Sequence, residues 1–408
     1  MKSSRFILAS YLALAFAGMA SAQTVIHITG STAFRAAAHA AIQSMMASGY
    51  TYGYSGTTGL GSASQAIFTG TAVTTKAGSV PVIIKTSWSG SVGGIIVLTQ
   101  TLPVPDSAIG VAGGWLVNTT SQSTSGVQGA PANYDTPTTA DAAFSDSFQS
   151  STLYPTPALS GANGYSSGVV GVIPFEWVEG VGSTAITNVT AQNAKNALAG
   201  SCQLNFSTGN SADSATLVEV FGRDSDSGTR LETFAETGFG ITTSPQQYDG
   251  TISGGTITSI DLWPGQFTDG TSYLPGHEGY NSGGTIATTL KTPGMLTAAN
   301  NPGVMIGYLG ISDAQSAQAG GATLLTYNGV GYSQNAVQQG QYSMWAYEHI
   351  YYLPAYAGTT GGDVVDQIAL NVHDVLADTT VSGLLLSGMA VHRTVEGGLI
   401  TPGKGLFK

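Results

Sequence analysis

Three times in this chain an apolar, β-branched run ends in a turn of glycine and hydroxyl residues. Thr24–Thr29 leads into Gly30-Ser31-Thr32-Ala33-Phe34-Arg35 and an alanine-rich stretch to about Met46. Val80–Thr86 leads into Ser87-Trp-Ser-Gly-Ser91-Val-Gly93-Gly94. Ala215–Phe221 leads into Gly222-Arg223-Asp224-Ser225-Asp226-Ser227-Gly228-Thr229-Arg230. In the last of these, Leu231, Phe234 and Ala235 then fall at helical spacing, and Gly238 is a stop. Strand, small-residue turn, helix is the repeating element of α/β folds with largely parallel or mixed sheets.

The rest of the chain fits that alternation. Gly168–Val178, Gly303–Leu309 and the aromatic Tyr342–Tyr352 read as strands. Asn188–Leu198, a segment opening at Gly279–Gly284 and running to Leu290, and one beginning at Ser312 read as helices. A further amphipathic helix is expected from Asp363, as its cap, to about Ala377. Residues 240–270 look β-rich, and 101–137 read as an inserted excursion with some strand at 112–117. Ser31 or Thr32 is the expected N-cap of the first helix.

The turn at 222–230 carries a specific chemistry. A helix start presents backbone N–H groups without intrahelical partners and a partial positive charge. Ser227 and Thr229 add hydroxyls, Gly228 permits close approach to the backbone, and Arg223 offers a planar cationic fork. Those groups suit an oxyanion; the competing reading is a capped surface turn. Calcium is excluded, because Gly228 falls one place early and position twelve of the loop is Ala235 rather than glutamate.

Met1-Lys-Ser-Ser-Arg5, the apolar run Phe6–Met19 and Ala20-Ser21-Ala22 form a secretory leader, with cleavage expected after Ala22. The leader is too short for a comfortable membrane span, and no cysteine at the cleavage point offers a lipid anchor. The only cysteine, Cys202, excludes an internal disulfide, so core packing must hold an exported fold. The length remaining after cleavage favours two domains. A net charge of −11 argues against a nucleic-acid or anionic-membrane binder. With 9% charged residues and 56 glycines a secreted structural protein is a rival, but no fixed period exists and 42% hydrophobic residues suffice for a core. Asn118, Asn188 and Asn205 head N-x-Ser/Thr triplets.

A secreted serine hydrolase using Ser227 or Ser91 is the rival from another class. No Gly-x-Ser-x-Gly elbow is present, and His277, in a glycine-rich loop, is the only histidine to consider as its base. His39, His349 and His373 read as packing residues within their elements.

Taken in order, the turns resemble those of the phosphate-binding proteins of bacterial ABC phosphate importers, over most of residues 24–375. Gly30-Ser-Thr-Ala-Phe34 is similar to that family's first turn, which implies phosphate binding at Thr32 and Ala33. Ser89-Gly-Ser-Val-Gly-Gly94 resembles its Gly-Ser-Ser-Gly-Gly turn and implies Ser91. Asp141-Ala-Ala-Phe-Ser-Asp146 resembles its Asp-Phe-Gly-Ala-Ser-Asp stretch and implies Asp146 as the acidic residue facing the ligand. Arg223 to Arg230 is similar to its Arg-x-x-x-Ser-Gly-Thr signature and implies Arg223, Ser227, Gly228 and Thr229. The chain departs from the pattern in the long segment between Gly94 and Asp141, in Arg35 near the usual proline, and in the doubled acids Asp224 and Asp226.

The resemblance implies an α/β, two-lobed periplasmic-binding-protein fold, each lobe a mixed sheet flanked by helices, with the ligand in the cleft. Lobe one would be residues 23–173 plus 342–408, and lobe two residues 174–341. It implies a periplasmic or secreted, monomeric binding protein for phosphate or a similar oxyanion, without cofactor or metal, handing its ligand to an inner-membrane ABC permease or sensing it. Another oxyanion or an organic phosphate is the alternative ligand.

Overall fold

The computed structural model describes residues 23–104, 114–130, 133–200, 202–263, 278–294, 303–376 and 383–403. The leader and His277 lie outside these residues. The main strands are β1 (Thr24–Gly30), β2 (Thr51–Tyr54), β3 (Gln65–Thr74), β4 (Gly78–Ser87), β5 (Ala142–Ser145), β6 (Val169–Glu179) and β7 (Leu217–Phe221). They continue with the hairpin β8 (Tyr248–Ser253) and β9 (Thr256–Leu262), then β10 (Gly303–Gly310) and β11 (Trp345–Tyr352). The helices are α1 (Arg35–Met45), α2 (Ser91–Gln100), α3 (Ala191–Leu198), α4 (Gly228–Glu236), α5 (Gly283–Leu290), α6 (Ile311–Ala319) and α7 (Thr360–Asn371).

One mixed sheet runs through the molecule in the order β7-β10-β6-β11-β5-β1-β4-β3-β2, with two-residue strands at both edges. β1 is parallel to β4 and β5, and β7 is parallel to β10; β11 is antiparallel to both β5 and β6. The sheet therefore has two wings joined through β6. Residues Val169–Pro174 of β6 pair with β11, and Phe175–Glu179 pair with β10. Pro174, which has no amide to donate, stands at the change of partner, and Phe175 donates to the Met344 carbonyl at 2.9 Å. Both central strands are buried along their whole length, which accounts for their unbroken apolar and aromatic sequence.

Helices cover the wings. α1 packs on α7, and α6 lies on β6 and β10 beside α5. α2 is buried from Ser91 to Thr99. It sits low on the sheet because Gly94 has no side chain: a Cβ there would be 2.9 Å from the Ala143 Cβ and 3.0 Å from the Gly30 Cα.

Several boundaries differ from the sequence reading. The N-cap of α1 is Phe34, without a side-chain cap, rather than Ser31 or Thr32. The Ser31 amide is already spent on the Phe144 carbonyl at 2.9 Å. α7 is capped by Thr359, whose hydroxyl accepts the Gly362 amide, so Asp363 lies inside the first turn. α3 begins at Ala191 behind a capping box of Thr190 and Asn193, while Asn188–Val189 pair as a short strand. In the excursion, the expected strand at 112–117 is represented among the described residues by one bridge, Leu116 to Tyr134. That excursion buries Trp115 and Leu116, and its Asp135 pairs with the buried Lys85 of β4.

The segment 383–403 crosses the back of the molecule. Leu384 bridges to Val172 of β6. Arg393, 1% exposed, binds Glu232 at 2.9 Å and Glu236 at 3.1 Å on α4, donates to the Ser343 carbonyl at 2.6 Å, and stacks 4.1 Å from the Trp345 ring. Glu396 accepts the Phe148 amide at 2.8 Å, so this one segment holds both α4 and the turn after β5.

Candidate functional site

β7 delivers Arg223 to the centre of the molecule, where the side chain is buried. Its amide donates to the Tyr308 hydroxyl at 3.0 Å, Nε to the Tyr280 carbonyl at 3.0 Å, and Nη2 to the Asn281 carbonyl at 3.0 Å. Its own carbonyl accepts Gln247 Nε2 at 2.9 Å and Arg230 Nη1 at 3.1 Å. Gly222 makes this crowding possible, since a Cβ there would lie 1.8 Å from Gln247 Oε1. Arg223 is thus oriented by three elements and keeps Nη1 for another partner. Arg230, by contrast, is committed to the Arg223 carbonyl and to the Phe234 ring, 5.1 Å away.

α4 starts at Gly228, three residues before the apolar pattern begins. Ser227 is its N-cap, accepting the Arg230 amide at 3.3 Å. Gly228 lies against Asp146: a Cβ would fall 1.4 Å from Asp146 Oδ1, so only glycine fits. Asp146 is 2% exposed, and Oδ1 has no hydrogen-bond partner. Burial pushes its carboxyl up to about 6, against the opposing pull of Ser91 and the Arg223 charge. Asp146 does not cap its own turn, since the Ser147 amide goes to Ser145 Oγ and the Phe148 amide to Glu396.

The start of α2 meets the same loop. The Asp226 carbonyl accepts the amides of both Val92 and Gly93. Thr32, Ala33, Arg223 and Thr229 line one small cavity of about 10 Å³, together with Ile173, Gly283, Tyr308, Leu309, Gly310, Ser312 and Asp313. The starts of α1 and α6 reach it without side-chain caps. Of the expected site residues, Ser91, Asp146, Ser227 and Gly228 are outside this lining; Asp146 meets both Ser91 and Gly228. The volume suits about one water molecule, less than a phosphate needs.

Asp313 and Tyr308 were not legible as site residues. Asp313 Oδ2 would be 2.3 Å from a Cβ at Gly283, which places this carboxylate at the start of α5. Burial raises its pKa, while Arg223, Arg35 and Lys291 oppose the rise. The only local signal was Ser312-Asp-Ala, read as a helix start.

The neighbourhood mixes three arginines, Arg35, Arg223 and Arg230, with Asp146, Asp224, Asp226, Glu278 and Asp313. Burial raises all five acids, Glu278 to about 7 and Asp226 well above the ordinary value. Burial thus makes the charged form of each of these acids less favourable, while the three arginines favour it.

The described residues assemble no catalytic triad around Ser91 or Ser227. The five described histidines bond to Asp141, to Leu60 and Thr86, to Ser167, to Asp374 and to Gly403, not to Ser91 or Ser227. His39 also takes the Trp88 indole N–H at 3.2 Å, as a packed helix residue. Among the described residues no group of three or more His, Cys, Asp or Glu is arranged to hold a metal. No helix among them is long and apolar enough to cross a membrane.

No protein-family model and no curated protein matches the chain. Solved structures do. A provisionally assigned phosphate ABC transporter substrate-binding protein from Clostridium perfringens, with bound phosphate, is 12% identical, covering 88% of this chain and 98% of its own, at a TM-score of 0.48. An ABC-type phosphate transport receptor from Vibrio cholerae is 12% identical over 84% of this chain and 93% of its own, at 0.43. PstS from Borrelia burgdorferi is 13% identical over 85% and 97%, at 0.34. At these scores the functional reading rests on the chain's own residues.

Proposed function

We propose that the chain is an exported phosphate-binding protein, serving ABC import or phosphate sensing, with Thr32, Ala33, Ser91, Asp146, Arg223, Ser227, Gly228 and Thr229 as its ligand residues. The observation that carries this is the seat of Arg223: a buried guanidinium held by the Tyr280 and Asn281 carbonyls, with its backbone amide on the Tyr308 hydroxyl, beside helix starts that have no side-chain caps. Such groups converge on tetrahedral oxyanions and do not assemble a nucleophile.

In this reading residues 23–173 plus 342–408 form one lobe and 174–341 the other, with bending where β6 changes partner. The contacts Asp146–Gly228 and Asp226–Val92 then cross the cleft. In the closed form the Asp146 carboxylate sits at the start of α4 and the Asp226 carbonyl at the start of α2. Opening frees both helix starts. Phosphate then takes the amides, the hydroxyls of Thr32, Ser91 and Thr229, and Arg223. Each charge-assisted bond contributes about 1.5–3 kcal/mol before desolvation and closure are subtracted. Asp146 accepts a hydrogen bond from a protonated phosphate oxygen. Cleavage after Ala22 and export belong to the same proposal.

Titration calorimetry with phosphate and sulfate, alongside native mass spectrometry of protein purified without denaturation, tests it. Phosphate should bind as one anion per chain, and Arg223→Ala should weaken it by several kcal/mol with an unchanged circular dichroism spectrum. Equal affinity in Arg223→Ala, or no bound anion, sinks the reading.

A further inference from the structure

Beside the anion cavity lies a second, larger chamber of about 340 Å³, and the two share Thr32 as a wall. The turn at 281–283 also serves both, with Asn281 and Ser282 on the chamber and Gly283 on the cavity. We propose that this chamber is a subsite for the hydroxyl-bearing organic part of a small phosphomonoester, whose phosphate occupies the adjoining anion site. The inference rests on the anion-site reading above and narrows its ligand.

The wall chemistry points to that class. The chamber has the volume of a small-molecule pocket. Arg35 lines it, half-buried, and makes no hydrogen bond or ion pair among the described residues. Asp224 lines it as well, and Arg223 and Arg230 act on its carboxyl from behind the wall. A donor fork without a hydrogen bond and a carboxyl group line one chamber, and hydroxyl groups suit both because each donates and accepts. Gln65, Asn281 and several serine and threonine side chains complete a polar surface, with the Trp88 ring as its apolar patch. A second phosphate fits poorly: the chamber offers one cation against the Asp224 carboxylate, which like charge would oppose. An apolar ester group fits poorly too, because it would cover Arg35 and Asp224 without bonding them.

Calorimetry at one pH with inorganic phosphate, glycerol 3-phosphate, phenyl phosphate and pyrophosphate tests this. Glycerol 3-phosphate should bind at least about tenfold tighter than inorganic phosphate, and phenyl phosphate weaker than glycerol 3-phosphate. Ser64→Phe, which fills the chamber, should remove that advantage while leaving inorganic phosphate within about threefold, and Arg35→Met should weaken glycerol 3-phosphate by more than it weakens inorganic phosphate. Inorganic phosphate binding tightly while every ester is excluded would overturn the subsite and leave the phosphate reading standing. Tightest binding of pyrophosphate, or a glycerol 3-phosphate affinity that neither variant changes, would overturn it as well. Binding of none of the four would overturn the anion site itself.

Discussion

The Asp226 carbonyl accepts the Val92 amide at 2.9 Å and the Gly93 amide at 3.2 Å, so a loop from one wing of the sheet caps a helix of the other. Two free N–H groups at the start of α2 thereby have a partner that carries no net charge. The contact depends on Gly90, whose φ of 113° suits glycine and whose Cβ position would be 2.5 Å from that carbonyl.

Gly90→Ala should therefore strain the backbone and push the Asp226 loop away. The expected loss is about 1–3 kcal/mol in urea unfolding, at unchanged m-value. A loss below about 0.5 kcal/mol would show that the two segments separate freely.

Asp146 tests selectivity. The ordinary forms of phosphate near neutral pH carry a proton that a carboxylate can accept, whereas sulfate carries none. Asp146→Asn should keep much of the phosphate affinity and admit sulfate, a change in discrimination of about a thousandfold. Calorimetry with both anions on both proteins decides it. Because Asp313 also lines the cavity, Asp313→Asn is the matched control and should leave the ratio nearer to that of the parent.

Stability should rise as pH falls from about 8 to about 6. Burial lifts Glu176, Glu219 and Glu396 to about 7 and Asp146 to about 6. Each holds its proton in the folded state after the unfolded chain has lost it, so its contribution is complete below the ordinary carboxyl pKa and is lost as pH climbs through the raised value. His39 and His349 work in the other direction. Burial lowers both to about 4, so their contribution is complete above 6.5 and fades as pH falls towards 4. The carboxyls outnumber them, and melting temperature should reach its maximum in the mildly acidic range. A melting temperature that falls steadily from pH 8 to 6 would contradict this balance.

Arg393→Met should cost about 3–5 kcal/mol, because it leaves Glu232, 0% exposed, without its cation. Adding Glu232→Gln should recover part of the loss. A loss in the single variant no larger than an ordinary surface substitution would mean that Glu232 is held neutral and the pair adds little.

Much of this was legible because it is local. The turn Ser227-Gly228-Thr229 carries its own helix cap, and the apolar runs of β6 and β11 announce buried strands to within three residues. What escaped was set at long range. The first helix starts at Arg35 behind Phe34, and the Ser31 amide is claimed by the Phe144 carbonyl, more than a hundred residues away. Tyr308 and Asp313 join Arg223 through the pairing of β10 with β7, and no local spacing encodes that pairing. Nor does the order of strands follow the chain: nothing in Trp345–Tyr352 by itself says that it lies between β6 and β5.

That position of β11 has a consequence for how the protein is made. A chain that emerges from its N-terminal side first can assemble β1 to β5 early and the β7–β10 pair later, but the two halves stay unjoined until residues 345–352 arrive between them. Arg393 and Glu396 then have to follow before α4 and the turn after β5 acquire their shared anchor. Throughout that interval the exposed edges of β5 and β6 are open to wrong partners. The edges of β5 and β6 therefore have to stay unpaired until residues 345–396 have been made.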